Sequence, residues 1–412
     1  MCGKNKETKF LYRKRKKGAL MKTENLINTQ RFFNDGLVTK TQLSEAIEDA
    51  LAIVDRNIDY FGDKYPTPAS KDNVYPKMDN TEWTNGFWPG MLWLAYEFTD
   101  DKKYLNAAKH HVEAFKKRID QNIMVDHHDL GFLYIPSCVS AFKITKNENA
   151  YEASVAAAKQ LQTRFQKNGG FIQAWGKKGD ENNYRLIIDA LLNIPLLYWA
   201  GAQTGEANYI EMAESHYRNA INTVIREDGS TFHTYFFDKN SGKPLYGATH
   251  QGYSDDSSWA RGQAWAVYGI PLHYKYIKGG SDIEKFKQVT NYFINRLPED
   301  NVPYWDLIFN DGDDQPRDSS AGAIAVCGMA EMLKSLPEAD PDKLAYKYAM
   351  HSIMSSLIDN YRQVKAYGGA PLLKHGVYSW HSGKGVDEGN TWGDYFYLEA
   401  LMRFYKDWQL YW

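Results

Sequence analysis

Cysteine is scarce: Cys2, Cys138 and Cys327 are the three such residues among 412 positions. So few and so scattered a set excludes a disulfide framework and a zinc site, and the odd count fits a reducing compartment, so a cytoplasmic protein is expected. Long apolar runs are missing as well. No window approaches the roughly 20 residues needed to span a bilayer, and no membrane partner is expected. Nor does one sign of charge dominate. With 49 Lys and Arg against 51 Asp and Glu, the formal net charge is −2, and no broad basic field awaits nucleic acid or an anionic surface. A secretory signal is not seen either, because the basic run Arg13-Lys14-Arg15-Lys16-Lys17 continues into Gly18-Ala19-Leu20-Met21-Lys22-Thr23 rather than an apolar stretch. Residues 1–40 are expected to be a partly disordered, solvated basic tail, with Met21 as an alternative natural start. After Thr41 there is no Pro/Ser-rich linker or low-complexity segment, and 41–412 is expected to be one catalytic domain.

What the chain has in quantity is aromatic side chains: 15% of residues, including 12 Trp and 29 Tyr. Flat amphipathic rings suit the faces of sugars, and an aromatic-rich core is the alternative use. Apolar residues recur at helical spacing, as in Leu43, Ile47, Leu51, Val54, Ile58 and Phe61, or Leu105, Ala108, Val112, Phe115 and Ile119. A larger unit repeats about six times: an aromatic or Gly-rich start, an apolar helix, a short polar turn, then a helix with one charged face. Uniformly apolar first helices belong in an inner ring and one-sided second helices outside it. The helix opened by Trp392-Gly393-Asp394-Tyr395 would pair with the helix from Thr41 and close the ring. The expected fold is all-α, a single-domain (α/α)6 toroid with the starts of its inner helices gathered at one mouth. A short β-hairpin is expected where Thr231-Phe232-His233-Thr234-Tyr235-Phe236-Phe237-Asp238 precedes Asn240-Ser241-Gly242-Lys243.

Two aspartates, Asp129 and Asp189, stand where apolar helices begin. An ionised carboxylate among apolar neighbours costs several kcal/mol, roughly, unless it is paired or neutralised, so the pair points to acid/base chemistry. The loops before the inner helices hold Trp83, His127, His128, Asp129, Trp175, Asp189, His233, His250, Gln251, Trp259, Arg261 and Trp265, which a toroid would bring to one pocket. Asp126, His127, His128 and Asp129 offer atoms that metals accept, but not the i, i+4 spacing of a helical site. Asp311-Gly312-Asp313-Asp314 lacks the ligand spacing of a calcium loop. No metal and no cofactor are expected.

Several longer motifs occur together: Asn80-Thr81-Glu82-Trp83-Thr84-Asn85-Gly86-Phe87-Trp88, the run 126–134, Gly170-Phe171-Ile172-Gln173-Ala174-Trp175-Gly176, the run 185–193, His250-Gln251-Gly252, Ser258-Trp259-Ala260-Arg261-Gly262-Gln263-Ala264-Trp265 and Trp392-Gly393-Asp394-Tyr395. From about Thr41 to Trp412 the chain resembles the unsaturated glucuronyl hydrolases of glycoside hydrolase family 88. The resemblance implies the (α/α)6 fold and action on unsaturated disaccharides released by polysaccharide lyases. It implies hydration of the C4=C5 double bond of the terminal uronic acid, with Asp189 as general acid/base and Asp129 as second catalytic carboxylate. His233 matches a position near the reacting sugar. Trp83, Trp175 and Trp265 would stack on or wall that sugar beside Trp259, while His128, Gln251 and Arg261 would bind its hydroxyls and carboxylate.

In Ser379-Trp380-His381-Ser382-Gly383-Lys384-Gly385, two hydroxyls and an ammonium within six residues could enclose a sulfate; an ordinary Ser/Gly loop is the alternative. Family members with this Ser-x-x-Ser-x-Lys pattern resemble those that prefer sulfated chondroitin or hyaluronan-type disaccharides, so Ser379, Ser382 and Lys384 are expected to bind substrate. Left open are an unsaturated rhamnogalacturonyl hydrolase and a non-catalytic sugar-binding toroid. A small-molecule substrate and a monomer or weak homo-oligomer are expected.

Overall fold

The computed structural model describes residues 23–412. Its helices alternate between two rings. The inner ring contains α3 (Phe87–Thr99), α5 (Leu130–Tyr134) continued by α6 (Ser140–Thr145), α8 (Pro195–Thr204), α10 (Ala260–Tyr276), α12 (Ser319–Leu333) and α14 (Thr391–Tyr405). The outer ring contains α2 (Lys40–Phe61), α4 (Lys102–Asp120), α7 (Glu148–Gln162), α9 (Ala207–Thr223), α11 (Asp282–Ile294) and α13 (Lys343–Ser356). Helix α14 packs on α3, which closes the inner ring, and on α2, which pairs the end of the chain with its beginning. The fold is therefore an α/α toroid of six hairpins, closed as the repeat predicts.

Local chemistry sets the boundaries. At the start of α2, Thr39 Oγ1 accepts from the Gln42 N–H while the Gln42 side chain accepts from the Thr39 N–H, a reciprocal cap. Asp101, Asn147 and Asn390 cap α4, α7 and α14. In α3 every residue from Phe87 to Ala95 is buried, whereas α2 buries a stripe that includes Ile47, Ala50, Ile53 and Val54. The second inner helix is not continuous, since Pro136 has no N–H to donate and a π turn over Ile135–Val139 separates α5 from α6.

Strands are short and antiparallel: β1 (Tyr65–Pro66) with β2 (Lys77–Met78), β3 (Phe165–Gln166) with β4 (Phe171–Ile172), β5 (Arg185–Ile187) with β6 (Thr234–Phe237) and β7 (Pro244–Ala248), and β8 (Gly376–Ser379) with β9 (Lys384–Glu388). The expected hairpin is present as β6 and β7, with its turn held by Ser241 on Asp238 Oδ1. Its pairing with β5 carries no local signal in the sequence.

One expectation needs correction. The tail predicted over 1–40 is part of the body from Thr23 onward, with a helix of its own, α1 (Gln30–Asp35). Phe32 is 1% exposed. Glu24 pairs with Arg296 at 2.9 Å, Arg31 donates to the carbonyls of Leu297 and Pro298 at 3.0 Å, and the Val38 N–H donates to His351 Nδ1 at 3.1 Å. An apolar anchor flanked by partners on the outer ring holds this segment down. The basic run at 13–17 and Met21 lie outside the described residues.

Below the mouth the toroid is filled. Trp265 meets Phe132 at 5.2 Å and Phe396 at 5.5 Å, and Trp412 stacks on Phe396 at 5.8 Å. Glu399, fully buried nearby, accepts from Trp412 Nε1 at 2.7 Å and Arg403 Nε at 3.1 Å, and from the Tyr268 hydroxyl, so its charge is compensated. Cys138 and Cys327 are buried free thiols. Among the described residues no helix is long and apolar enough to cross a membrane.

Candidate active site

Asp129 occupies the N-cap position of α5, and Asp189 lies in a single 3₁₀ turn (Ile188–Leu192) that leads into α8. Their separation is set by Asn193. Its Oδ1 accepts from the Phe132 N–H at 2.9 Å and its Nδ2 donates to the Asp189 carbonyl at 3.2 Å, so one amide spans both helix starts. Gly131 makes that approach possible: a Cβ there would lie 2.3 Å from Asn193 Cα. His128 sits between the carboxylates, its Nε2 3.4 Å from Asp129 Oδ1 and 3.6 Å from Asp189 Oδ1. His127 Nδ1 is 3.2 Å from the other Asp129 oxygen. Among the described residues His128, Asp129 and Asp189 are the one group whose donor atoms could surround a cation, all within 4.8 Å of one another.

The two carboxyls are held in opposite states. Burial and the Asp129 charge keep the Asp189 carboxyl well above its ordinary 3.8, against the pull of the Arg261 cation. For Asp129, burial pushes the same way but is outweighed by the imidazoles of His128 and His127, and its carboxyl stays below 3.8. Burial takes His128 down to about 4, so its ring is neutral at pH 7. Both acids still face solvent, with side chains 13% and 17% exposed for Asp129 and Asp189. One proton donor beside one carboxylate, each open to a small ligand, is an arrangement for proton transfer to and from a substrate.

His233 reaches this centre through the small sheet. Ile187 pairs with Thr234, and the Ile188 N–H donates to the His233 carbonyl at 3.0 Å, which puts His233 across from the turn holding Asp189. Its Nδ1 accepts from the His250 and Gln251 N–H groups at 2.9 and 3.3 Å, so the ring proton belongs on Nε2. Burial, then the neighbouring His250, keeps this imidazole neutral, far below 6.5.

Of the expected ligand-binding residues, most gather at the mouth. Trp175 is 37% exposed, edge-on to His128 and backed by the Arg185 guanidinium 4.8 Å from its ring. Trp83 stacks on Trp392 at 5.3 Å and donates from Nε1 to the Tyr378 hydroxyl. Trp259 lies against His233, with centroids 4.6 Å apart. Arg261 is more committed than the sequence suggests. It is sandwiched between Trp259 and Trp392 and donates to Asp318 at 2.8 Å, Gln251 Oε1 at 2.9 Å and the Val377 and Tyr378 carbonyls. Arg261 and Gln251 thus brace each other. Trp265 corrects the expectation of a sugar-facing indole: it is 1% exposed among Phe132 and Phe396, because one helical turn beyond Arg261 the side chain points down the filled axis.

Ser379 and Lys384 face each other across the β8–β9 pair, and the Ser382 hydroxyl donates to the Ser379 carbonyl at 3.3 Å. Lys384 lines a cleft of about 520 Å³ together with Ser70, Glu82 and Tyr378. Because Tyr378 is bound by both Trp83 and Arg261, this hairpin hangs from the same mouth.

Sequence reasoning gave no role to Arg164, Asn193, Asp318, Tyr378 or Trp392. Arg164, fully buried, donates to Asp126, Gln173 and Gly176 and so staples the His128 loop to the Trp175 loop.

Residues 53–401 match the profile of Glycosyl Hydrolase Family 88. The chain is 59% identical over 392 residues to the unsaturated chondroitin disaccharide hydrolase of Streptococcus agalactiae, covering 95% of this chain and 98% of that protein. A crystal structure of unsaturated glucuronyl hydrolase from that species is similar with a TM-score of 0.95 at 59% identity, covering 96% of this chain and 100% of the other. A mutant of that hydrolase complexed with dGlcA-GalNAc6S is similar with a TM-score of 0.87 at 56% identity, over 95% and 99% of the two chains.

Proposed function

Because the chain belongs to glycoside hydrolase family 88, we propose that it is an unsaturated glucuronyl hydrolase, releasing the terminal 4,5-unsaturated uronic acid from lyase-generated glycosaminoglycan disaccharides. The observation that carries the reading is the Asp189–Asp129 pair, an acid and a carboxylate held side by side in a mouth walled by indoles. Asp189 gives its proton to C4 of the unsaturated ring. The cation left at C5, stabilised by the ring oxygen, takes a water molecule whose proton returns to the Asp189 carboxylate. The hemiketal formed at C5 opens, and the glycosidic bond breaks as the aldehyde at C1 is released. Nothing is oxidised or reduced, and Asp189 ends protonated.

Asp129 serves this cycle by staying ionised, since its charge, added to burial, keeps the proton on Asp189. His233, donating from Nε2, orients the water or the ring. Trp83 and Trp175 wall the sugar, and Gln251 and Arg261 shape the face that meets its carboxylate. Ser379, Ser382 and Lys384 hold a sulfate on the neighbouring hexosamine, a role supported by the similar hydrolase complexed with dGlcA-GalNAc6S.

The test is loss of the conjugated double bond's ultraviolet absorbance with unsaturated chondroitin disaccharides differing only in sulfation, with and without EDTA. Turnover that is indifferent to EDTA and faster on the sulfated substrate is expected, with Lys384→Ala losing about tenfold in kcat/KM on the sulfated form, the scale of one charge-assisted contact, and little on its unsulfated analogue. Binding without loss of absorbance would leave a sugar-binding toroid, and equal losses on both substrates would leave Lys384 a structural residue.

A further inference from the structure

Asp318 stands at the N-cap position of α12, yet its side chain does not cap that helix. An aspartate so placed ordinarily accepts from the first free N–H groups of its own helix. Instead Oδ2 accepts from Arg261 Nη1 at 2.8 Å, and Oδ1 accepts from the Ser320 hydroxyl at 2.5 Å. None of the three is open to water: Asp318 and Ser320 are fully buried and Arg261 is 2% exposed. Like Asp129 and Asp189, this carboxylate stands where an inner helix begins, but it faces an arginine rather than a ligand.

The pair belongs to a closed circuit. Ser320 Oγ accepts in turn from Trp392 Nε1 at 3.0 Å. Trp392 is one of the two indoles that sandwich the guanidinium, 4.8 Å from its ring, with Trp259 at 4.3 Å on the other side. Beyond Trp259 lies His233, and α10, which carries Arg261, packs along the turn that holds Asp189. The charges around Asp189 are Asp129 from the start of α5 and Arg261 from α10. His128 beside Asp129, His233 on the small sheet and Tyr378 on β8 are all held neutral by burial. Of the two charges, Asp129 favours the Asp189 proton and Arg261 opposes it. An arginine without a counter-ion at this place would be a buried cation that draws that proton away.

We propose that Asp318 is a positioning residue for the reaction, one that fixes the Arg261 guanidinium and offsets its charge beside the catalytic pair. The inference rests on the reaction proposed above. With Asp318 in place Arg261 meets the substrate's face in one orientation, and Asp189 keeps its proton for C4.

The experiment records kcat/KM against pH on an unsaturated chondroitin disaccharide for the wild-type protein, Asp318→Asn, the double variant Arg261→Gln/Asp318→Asn, and Ser320→Ala. Asp318→Asn removes a negative charge and leaves the cation, so the alkaline limb moves down by about one pH unit, the lower end of what one neighbouring charge does. In the double variant the cation is gone as well, and the limb stands at the wild-type position or above it. Ser320→Ala loosens the carboxylate but leaves both charges; its KM rises about fivefold, the scale of one neutral hydrogen bond, with the limb unmoved. An unmoved limb in Asp318→Asn overturns the proposal, as does a limb displaced equally in the single and double variants, which would take Arg261 out of the path. Should Asp318→Asn not fold, wild-type KM in Ser320→Ala overturns it. A wild-type protein that leaves the disaccharide's absorbance unchanged overturns the reaction itself.

Discussion

The division of labour between Asp189 and Asp129 comes from their surroundings rather than from residue type. The rate requires Asp189 with its proton and Asp129 without. Asp129 loses its proton below 3.8 and Asp189 only well above it, so activity rises as pH climbs through the lower value and falls as pH climbs through the upper one. Asp189→Asn should lower kcat by roughly 10²–10⁴-fold while substrate still quenches tryptophan fluorescence; near wild-type turnover would remove Asp189 from the mechanism. Asp129→Asn deletes the negative neighbour, so the Asp189 proton is lost more readily. The alkaline limb of its residual kcat/KM profile should move to lower pH, and an unmoved limb would mean that burial alone holds the proton. Both aspartates were legible in the sequence because a carboxyl at the head of an apolar helix is conspicuous. That one acid must keep its proton beside a charged neighbour follows from the reaction the motifs imply; the burial of Asp189 and the approach of Asp129 and Arg261 from elsewhere in the chain, which set the difference, do not show in the sequence.

At the scale of elements, the carboxyl pair depends on two inner-helix starts touching at Gly131 and Asn193. A methyl group at 131 would lie 2.3 Å from Asn193 Cα and 2.6 Å from its carbonyl oxygen, so Gly131→Ala has to push α5 away from the turn that holds Asp189. A displacement of the order of 1 Å costs roughly 10²-fold in rate, and overpacking costs about 1–3 kcal/mol in stability. Urea unfolding together with kcat should record both effects; a fully active variant would mean that the loops, not this contact, set the carboxyl spacing. The helical repeat made the six hairpins readable in advance, and the turn chemistry made β6 and β7 readable. Pairing of β5 with β6 escaped because it joins segments some fifty residues apart (Arg185 with Phe236) and leaves no periodic trace. Trp265 was misplaced because a run of aromatic residues at a helix start does not say which of them faces the mouth.

For the molecule as a whole, the clearest departure from expectation is the segment from Thr23 to Thr39, which belts the outer ring instead of trailing from it. Composition favoured a tail because charge and polar residues dominate the region, while the anchor is a single ring. Phe32→Ala should cost about 3–5 kcal/mol, the usual loss for a buried phenylalanine, by denaturant unfolding. Turnover at 25 °C should stay within about twofold, because α1, which carries Phe32, packs on α13 of the outer ring; a variant as stable as the parent would return the segment to the role of an appendage. At the centre, Trp412 and Phe396 beneath Trp265 and Phe132 leave the ring without a bore. A glycan can enter only by its unsaturated end and must back out by the way it came. Removal of that terminal ring leaves a saturated sugar at the new end, so such a vessel cuts each chain once and lets it go, and cannot thread a polymer in processive steps.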